Sequence, residues 1–109
     1  MFTRVVEIET TAGKGTDLRS AINEKMLPVL KKQPGFVDEI MLVGSTDLDR
    51  ILTLTFWQTE ADAERYNREH SLAVSEILKP LYERAPNVTY YNVNVDTSTI
   101  HKIATGKAA

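Results

Sequence analysis

The chain has 109 residues, of which 42% are hydrophobic, and a formal net charge of -2 from 13 basic and 15 acidic residues. This length and apolar content predict one folded domain. The two signs of charge are well mixed, which argues against a nucleic-acid partner and against a polybasic membrane patch. The sequence contains no cysteine, so disulfides, thiol catalysis and thiolate metal sites are excluded.

No targeting or membrane segment is recognisable. The first ten residues, MFTRVVEIET, lack the apolar stretch and small-residue cleavage site of a secretory signal. No run approaches the roughly 18 apolar residues of a membrane span. We therefore expect a cytoplasmic protein with no membrane partner.

The N-terminal third predicts a strand followed by a helix. β-Branched residues favour a strand from Phe2 to Thr10. After a glycine-containing turn, Thr16 or Asp17 is expected to cap a helix whose apolar positions follow helical spacing. Pro28 lies inside that pattern and removes a backbone donor, so the helix is expected to kink or reorganise near residues 24–26.

Two apolar runs in the middle of the chain predict an antiparallel hairpin. They cover Phe36 to Val43 and Ile51 to Trp57, and they flank a turn-forming segment at residues 44–49. This hairpin is expected to supply the centre of a sheet.

A second helix and a last strand follow the hairpin. Thr59 and the carboxylate of Asp62 resemble a capping box at the helix start. The polar residues 67–71 are expected to break this helix into two pieces, the second of which ends near Pro80. Aromatic and β-branched residues from Val88 to Val95 predict the fourth strand.

This order of elements predicts an α+β protein with the ferredoxin-like βαββαβ arrangement, in which both helices cover one face of an antiparallel sheet. The domain is expected to span residues 1–95, and residues 96–109 form a C-terminal tail. We assume a parity that directs Ile40, Leu42, Leu54 and Phe56 towards the helices. The opposite face would then carry Val37, Met41, Val43, Tyr91, Val93 and Val95. Such an apolar face predicts a homodimer, with two sheets packed into a barrel.

Three stretches carry a family resemblance: Pro34-Gly35-Phe36, the hairpin, and Phe56 to Ala63. Together they resemble the antibiotic biosynthesis monooxygenase family of dimeric α+β barrels, over roughly residues 2 to 95. The resemblance implies a pocket between sheet and helices. The family includes oxygenases that act on anthrones and quinols without metal or flavin, and also haem-degrading enzymes. The haem-degrading branch uses an asparagine on the first strand, and residues 2–10 contain none.

The resemblance also points to candidate catalytic residues. In the small quinol-oxidising branch a histidine stands nine positions after the strand-end tryptophan, and in this sequence that position is Tyr66. The nearest imidazole is His70, one helical turn later, and it is the candidate general base. An oxygenase without a cofactor also needs donors that hold the substrate anion. The candidate donors are Tyr66, Asn67, Tyr82 and Arg4.

Aromatic residues offer candidate contacts to a substrate. Trp57 could form a pocket wall, although a tryptophan at a strand end also suits core or dimer packing. Tyr90 and Tyr91 must face opposite sides of a regular strand, so one can touch the cavity and the other the dimer interface. The candidate substrate-binding residue of this pair is Tyr90.

Metal binding and paired-carboxylate chemistry are not supported. The two histidines, His70 and His101, lie in different segments, and no carboxylate-histidine motif joins them. Asp38 and Glu39 are adjacent in a strand and face opposite ways, which excludes them as a catalytic pair.

Two functions therefore remain open. The first is a monooxygenase that needs no cofactor and acts on a small phenol-, quinol- or anthrone-like substrate. The alternative is a non-catalytic dimeric barrel that binds a hydrophobic small molecule or a protein partner. Oxygen uptake that depends on His70 or Tyr66 would favour the first.

Overall fold

A four-stranded antiparallel sheet carries the helices on one face in the computed structural model, which describes residues 1–94. The elements in chain order are β1 (Phe2–Glu9), α1 (Gly15–Ala21), a π-helical turn (Ile22–Met26), α2 (Leu27–Leu30), β2 (Phe36–Val43), β3 (Arg50–Trp57), α3 (Glu60–Leu78), a 3₁₀ turn (Lys79–Leu81) and β4 (Asn87–Asn92). The strand order is β2-β3-β1-β4. The ferredoxin-like α+β prediction is confirmed, while Val95 and the predicted tail lie outside the described residues.

The strand register sets one row of side chains across the helix-covered face. Arg4 in β1 pairs with Thr55 in β3 and with Tyr90 in β4, and Thr55 pairs with Glu39 in β2. Directly paired residues of neighbouring strands share a face of the sheet. Four polar side chains therefore point to the same side.

The predicted parity of the hairpin strands is wrong. In β3 the residues buried beneath the helices are Ile51, Thr53, Thr55 and Trp57. Ile40 and Leu42 are 36% and 49% exposed, and they pair with Leu54 and Leu52 on the opposite face. Met41 and Val43 pack instead against the buried core. The prediction failed because both faces of β2 and β3 are rich in apolar residues, so alternation alone does not tell the inner from the outer face.

Two buried clusters hold the helices on the sheet. One surrounds Trp57 and contains Phe2, Leu30, Ala63 and Tyr66. The other contains Ile8, Leu18, Ile22, Ile51 and Leu78. Val74 packs against both clusters, so α3 links the two halves of the core.

The first helical segment reorganises where the sequence predicts. Pro28 has no backbone N–H, and the ladder shifts in the preceding π-helical turn, where the N–H of Leu27 bonds to the carbonyl of Ile22. The predicted N-cap at Thr16 or Asp17 is wrong, because the helix already begins at Gly15.

The start of α1 is held by the hairpin loop. The Asp49 carboxylate accepts from the backbone N–H groups of Gly13 and Gly15, each at 2.9 Å. The bond from Gly15 satisfies a free backbone donor at the start of the helix. Both bonds hold the pKa of Asp49 below its usual value. A side chain far away in sequence therefore replaces the local cap.

The second helix is continuous, so the predicted break at residues 67–71 is wrong. This stretch contains neither proline nor glycine, and the helix keeps one buried face through Ala63, Tyr66 and Leu78. The capping prediction is confirmed, since the Thr59 side chain accepts from the Asp62 N–H at 3.2 Å. Within residues 1–94 no helix is long and apolar enough to cross a membrane.

Candidate functional site

A cavity of about 200 Å³ lies between the helix-covered face of the sheet and α3. Its wall is mainly apolar, with contributions from Val6, Ile22, Met26, Leu30 and Val74. Its polar lining includes Arg4, Glu39, Thr53, Thr55, Tyr66 and Asn67. An apolar cavity with a few convergent polar groups is the usual form of a small-molecule site.

Tyr66 is held in the cavity wall by two aromatic neighbours. Its ring lies 5.4 Å from that of Trp57 and 5.0 Å from that of His70, between ring centroids. Burial raises the pKa of the Tyr66 hydroxyl, a shift that the charge of Arg4 opposes and that of Glu39 reinforces. Tyr66 therefore remains protonated near neutral pH and can donate a hydrogen bond.

Glu39 is the residue that the sequence reasoning missed. Its carboxyl lines the cavity, and burial, together with the negative charge of Asp38, raises its pKa from 4.5 to about 7. Asp38 pairs with Phe56 and Glu39 with Thr55, so the two carboxylates do face opposite ways. The sequence did contain a signal, because Glu39 lies on the same face of β2 as Met41 and Val43. To use this signal, one would have needed to know that this face is the one covered by the helices.

Arg4 brings a positive charge to the same cavity. It lies on the central strand β1 and is half-buried. Its Nε atom is buried without a hydrogen-bond partner among residues 1–94. A buried donor without a partner is costly, and a ligand acceptor would remove that cost.

Trp57 lies in the core behind the cavity wall. It is 1% exposed, and its indole Nε1 donates to Thr55 Oγ1 at 3.1 Å. Its ring meets Phe36 edge-on and Tyr66 at a tilt. Trp57 therefore supports cavity residues and is not among the residues that line the cavity.

The other sequence-predicted site residues divide into two groups. Asn67 and Tyr82 line the cavity beside Tyr66. His70 does not line the cavity, and its half-buried ring stacks on the ring of Tyr66. Tyr90 is 53% exposed on the edge strand β4 and stacks on Phe2 at 5.6 Å, away from the cavity lining.

The described part of the chain contains no group of three or more His, Cys, Asp or Glu residues placed to hold a metal ion. His101, the second histidine of the sequence, lies outside the described residues.

Comparison with protein families gives one match, to the model described as antibiotic biosynthesis monooxygenase, over residues 1–76. The chain belongs to this family. That match contains β1, both helices of the first segment, the hairpin and most of α3, and so includes Arg4, Glu39 and Tyr66. The resemblance predicted from the sequence is confirmed.

Solved structures share the fold at low sequence identity. A protein from Nitrosomonas europaea named for the same monooxygenase family has 16% identity and a TM-score of 0.74, and the match covers 85% of this chain and 98% of that one. Rv0793 from Mycobacterium tuberculosis has 11% identity and a TM-score of 0.75, with 89% and 98% covered. NE2512, a protein of unknown function from Nitrosomonas europaea, has 14% identity and a TM-score of 0.75, with 89% and 92% covered.

At these identities the structural matches show the shared fold alone. A comparison with curated proteins gives no match. The activity of this family member must therefore be argued from its own cavity.

Proposed function

We propose that this protein is a cytoplasmic, cofactor-independent monooxygenase of a small aromatic substrate of the phenol, quinol or anthrone type. The observation that carries the proposal is the apolar cavity in which Arg4, Tyr66 and Asn67 present hydrogen-bond donors. Apolar walls suit an aromatic ring, and convergent donors suit the anion formed when that ring loses a proton. Family membership supports this class of reaction.

The substrate itself supplies the electrons in this chemistry. Deprotonation gives an electron-rich anion, which passes one electron to dioxygen, and the resulting radical and superoxide combine into a peroxide at a ring carbon. Loss of water then leaves a carbonyl. For an anthrone, the CH₂ group loses two hydrogens and gains one oxygen atom, while the second oxygen atom leaves as water. One dioxygen is consumed per substrate, and no external reductant is required.

The protein has three tasks in such a reaction. Arg4, Tyr66 and Asn67 stabilise the substrate anion, which lowers the barrier to its formation. The apolar wall formed by Val6, Met26 and their neighbours keeps water from the radical pair. Trp57 and His70 keep the Tyr66 ring in place by packing against it.

The cavity size favours compact ring systems. A cavity of about 150 Å³ is sufficient for a benzene molecule. The present cavity of about 200 Å³ admits a substituted single ring or a fused bicycle. Asn67 and Ser71 are exposed and also line the cavity, so a larger ring system can extend towards solvent at that rim.

The same proposal includes a homodimer. The sheet face remote from the helices carries the directly paired residues Ile40, Leu54 and Val5. Tyr91 of β4 lies on the same face, where it pairs with Thr3. Packing this face against a second copy would remove it from water and close the dimeric barrel that the family resemblance implies.

A second candidate is a non-catalytic dimeric barrel that binds a hydrophobic small molecule or a protein partner. Tyr66 favours it, because this residue stands where the small quinol-oxidising relatives have a histidine. Under this candidate the cavity still binds aromatic compounds, but no substrate leads to oxygen consumption.

Oxygen uptake with a panel of quinols and anthrones separates the two candidates. For a monooxygenase we expect uptake that Asn67→Ala and Tyr66→Phe reduce by about tenfold each, since each variant removes one donor to the developing anion. Asn23→Ala, at an exposed position of the π-helical turn, is the matched control. Absence of uptake across the panel would overturn the monooxygenase proposal and favour the binding candidate.

A further inference from the structure

Two oppositely charged side chains stand on the sheet side of the cavity without contacting each other. Glu39 and Arg4 both line the cavity, and Thr55 lies between them in the same row of paired residues. Among residues 1–94 no ion pair within 4.0 Å joins them. Their strands are separated by one intervening strand, which places the two backbones about 10 Å apart.

We propose that Glu39 and Arg4 form a two-part subsite for the hydroxyl group of an aromatic substrate, with Glu39 as the general base and Arg4 as the partner of the resulting oxyanion. This inference rests on the proposed function and deepens it. It assigns the proton-removing group and restricts the substrate to compounds that arrive with a neutral, acidic hydroxyl.

A ligand in the cavity can contact both side chains, because Glu39 and Arg4 both line it. Both side chains are long, and Thr55 between them is short and buried. The Thr55 hydroxyl already accepts from Trp57 Nε1 at 3.1 Å. The Nε of Arg4 is buried and has no partner in the described part of the chain.

The environment of Glu39 supports its role as a base. The same cavity is lined by Arg4 from β1, Tyr66 from α3 and Tyr82 from the segment after α3, while Asp38 precedes Glu39 on its own strand. Burial and the charge of Asp38 raise the pKa of Glu39 to about 7. A carboxyl group with a pKa close to the working pH is partly ionised, so it can accept a proton. It is also basic enough to keep the proton that it has removed from the substrate.

Proton transfer in this subsite conserves charge. The Glu39 carboxylate takes the hydroxyl proton, so the negative charge moves from Glu39 to the substrate oxygen next to Arg4. Tyr66, whose pKa burial raises, stays protonated and adds a second donor to that oxygen. When the peroxide later loses water, the proton on Glu39 returns to the departing oxygen, and the carboxylate is restored.

His70 is less well placed for this step. It contacts Tyr66 through ring stacking, with 5.0 Å between the ring centroids, and is not among the residues that line the cavity. A base must reach the proton that it removes within hydrogen-bond distance or through one water. Glu39 meets the cavity directly, so we assign proton removal to Glu39 and a positioning role to His70.

The subsite also predicts selectivity for charge. A phenol enters neutral and becomes an anion only after Glu39 has taken its proton. An aromatic carboxylate is already anionic near neutral pH and would meet the Glu39 carboxylate as a like charge, which is destabilising in a partly buried site. We therefore expect neutral hydroxyaromatics to bind better than benzoates above the pKa of Glu39.

Binding of para-nitrophenol tests the subsite without any turnover, because its phenolate has a strong visible absorbance. We expect Arg4→Met to weaken binding of the phenolate at least tenfold, whereas Arg68→Met, at an exposed position of α3, leaves it unchanged. Glu39→Gln should tighten phenolate binding at a pH above 7, where Glu39 is a carboxylate, because the substitution removes the like charge. Circular dichroism of each variant confirms that it is folded. Unchanged phenolate binding in a folded Arg4→Met or Glu39→Gln variant would overturn the proposal.

Steady-state oxygen uptake tests the role of Glu39 as the general base. Glu39→Gln should lower kcat by about a hundredfold or more with KM nearly unchanged, and should abolish the acidic limb of the pH profile. Glu69→Gln, an exposed glutamate of α3, is the matched control. Persistence of the acidic limb in Glu39→Gln and its loss in His70→Gln would assign the base to His70 and overturn the proposal. If the wild-type protein consumes no oxygen, the monooxygenase proposal fails, and the para-nitrophenol titration alone decides the subsite.

Discussion

His70 stacks on Tyr66 with 5.0 Å between ring centroids and an interplanar angle of 27°. The two residues are one helical turn apart on α3, where side chains at i and i+4 meet. Only Tyr66 lines the cavity. The histidine therefore affects the site through the tyrosine ring that it supports.

Replacing His70 tests this relationship. His70→Ala should lower the free energy of unfolding by about 1 kcal/mol, because it removes one aromatic pair. It should also reduce oxygen uptake, whereas His70→Phe, which keeps a stacking ring, should restore both. Chemical denaturation and uptake assays on the two variants provide the measurement. Failure of phenylalanine to restore activity would show that the imidazole itself is required.

The hydrogen bond from Trp57 Nε1 to Thr55 Oγ1 predicts a stability effect. Thr55→Val keeps the side-chain shape but leaves a buried indole donor without a partner, which should cost about 1–3 kcal/mol. Thr46→Val, at an exposed position of the hairpin loop, is the control and should change stability little. Urea denaturation measures both variants, and equal stability would contradict the inferred bond.

The raised pKa of Glu39 predicts that stability falls as pH rises. The unfolded chain loses this proton near pH 4.5 and the folded protein near pH 7, so the folded state binds more protons between these values. Across this window the free energy of unfolding should drop by about 2 kcal/mol, allowing for solvent screening of a partly exposed carboxyl. Glu39→Gln should flatten the profile. A slope that is the same in Glu39→Gln and wild type would show that other groups cause it.

The outer face of the sheet predicts the assembly state. Light scattering should give about twice the monomer mass of 12.3 kDa. Ile40→Glu and Leu54→Glu should shift the mass towards one chain, since each places a charge in the apolar interface. Glu24→Gln, at an exposed position of the π-helical turn, is a surface control. A wild-type monomer would contradict the proposed dimer.

Most helices and strands of the fold could be predicted from residues that are close together in the sequence. Pro28 predicted the reorganised turn in the first helical segment, and Thr59 with Asp62 predicted the start of α3. The capping of α1 could not be predicted in this way, because the backbone N–H groups there donate to Asp49, which is more than thirty positions away in sequence. The predicted break in α3 failed because polar residues on the outer side of a helix do not interrupt it while its inner face stays buried.

Only some of the residues that line the cavity could be predicted from the sequence. Tyr66, Asn67, Tyr82 and Arg4 were named from the sequence, and all four line the cavity. Glu39 was missed because its importance depends on which face of β2 is covered by helices, and apolar residues on both faces concealed that parity.

Oxygen uptake with isotopically labelled dioxygen, using protein dialysed against a chelator and free of flavin absorbance, tests the central claim most directly. With a phenol that has a free para position, the account predicts one labelled oxygen atom in the quinone product, one in water, and one dioxygen consumed per product. It also predicts loss of this incorporation in Glu39→Gln. Product that carries no label, or wild-type incorporation that Glu39→Gln leaves unchanged, would contradict the account.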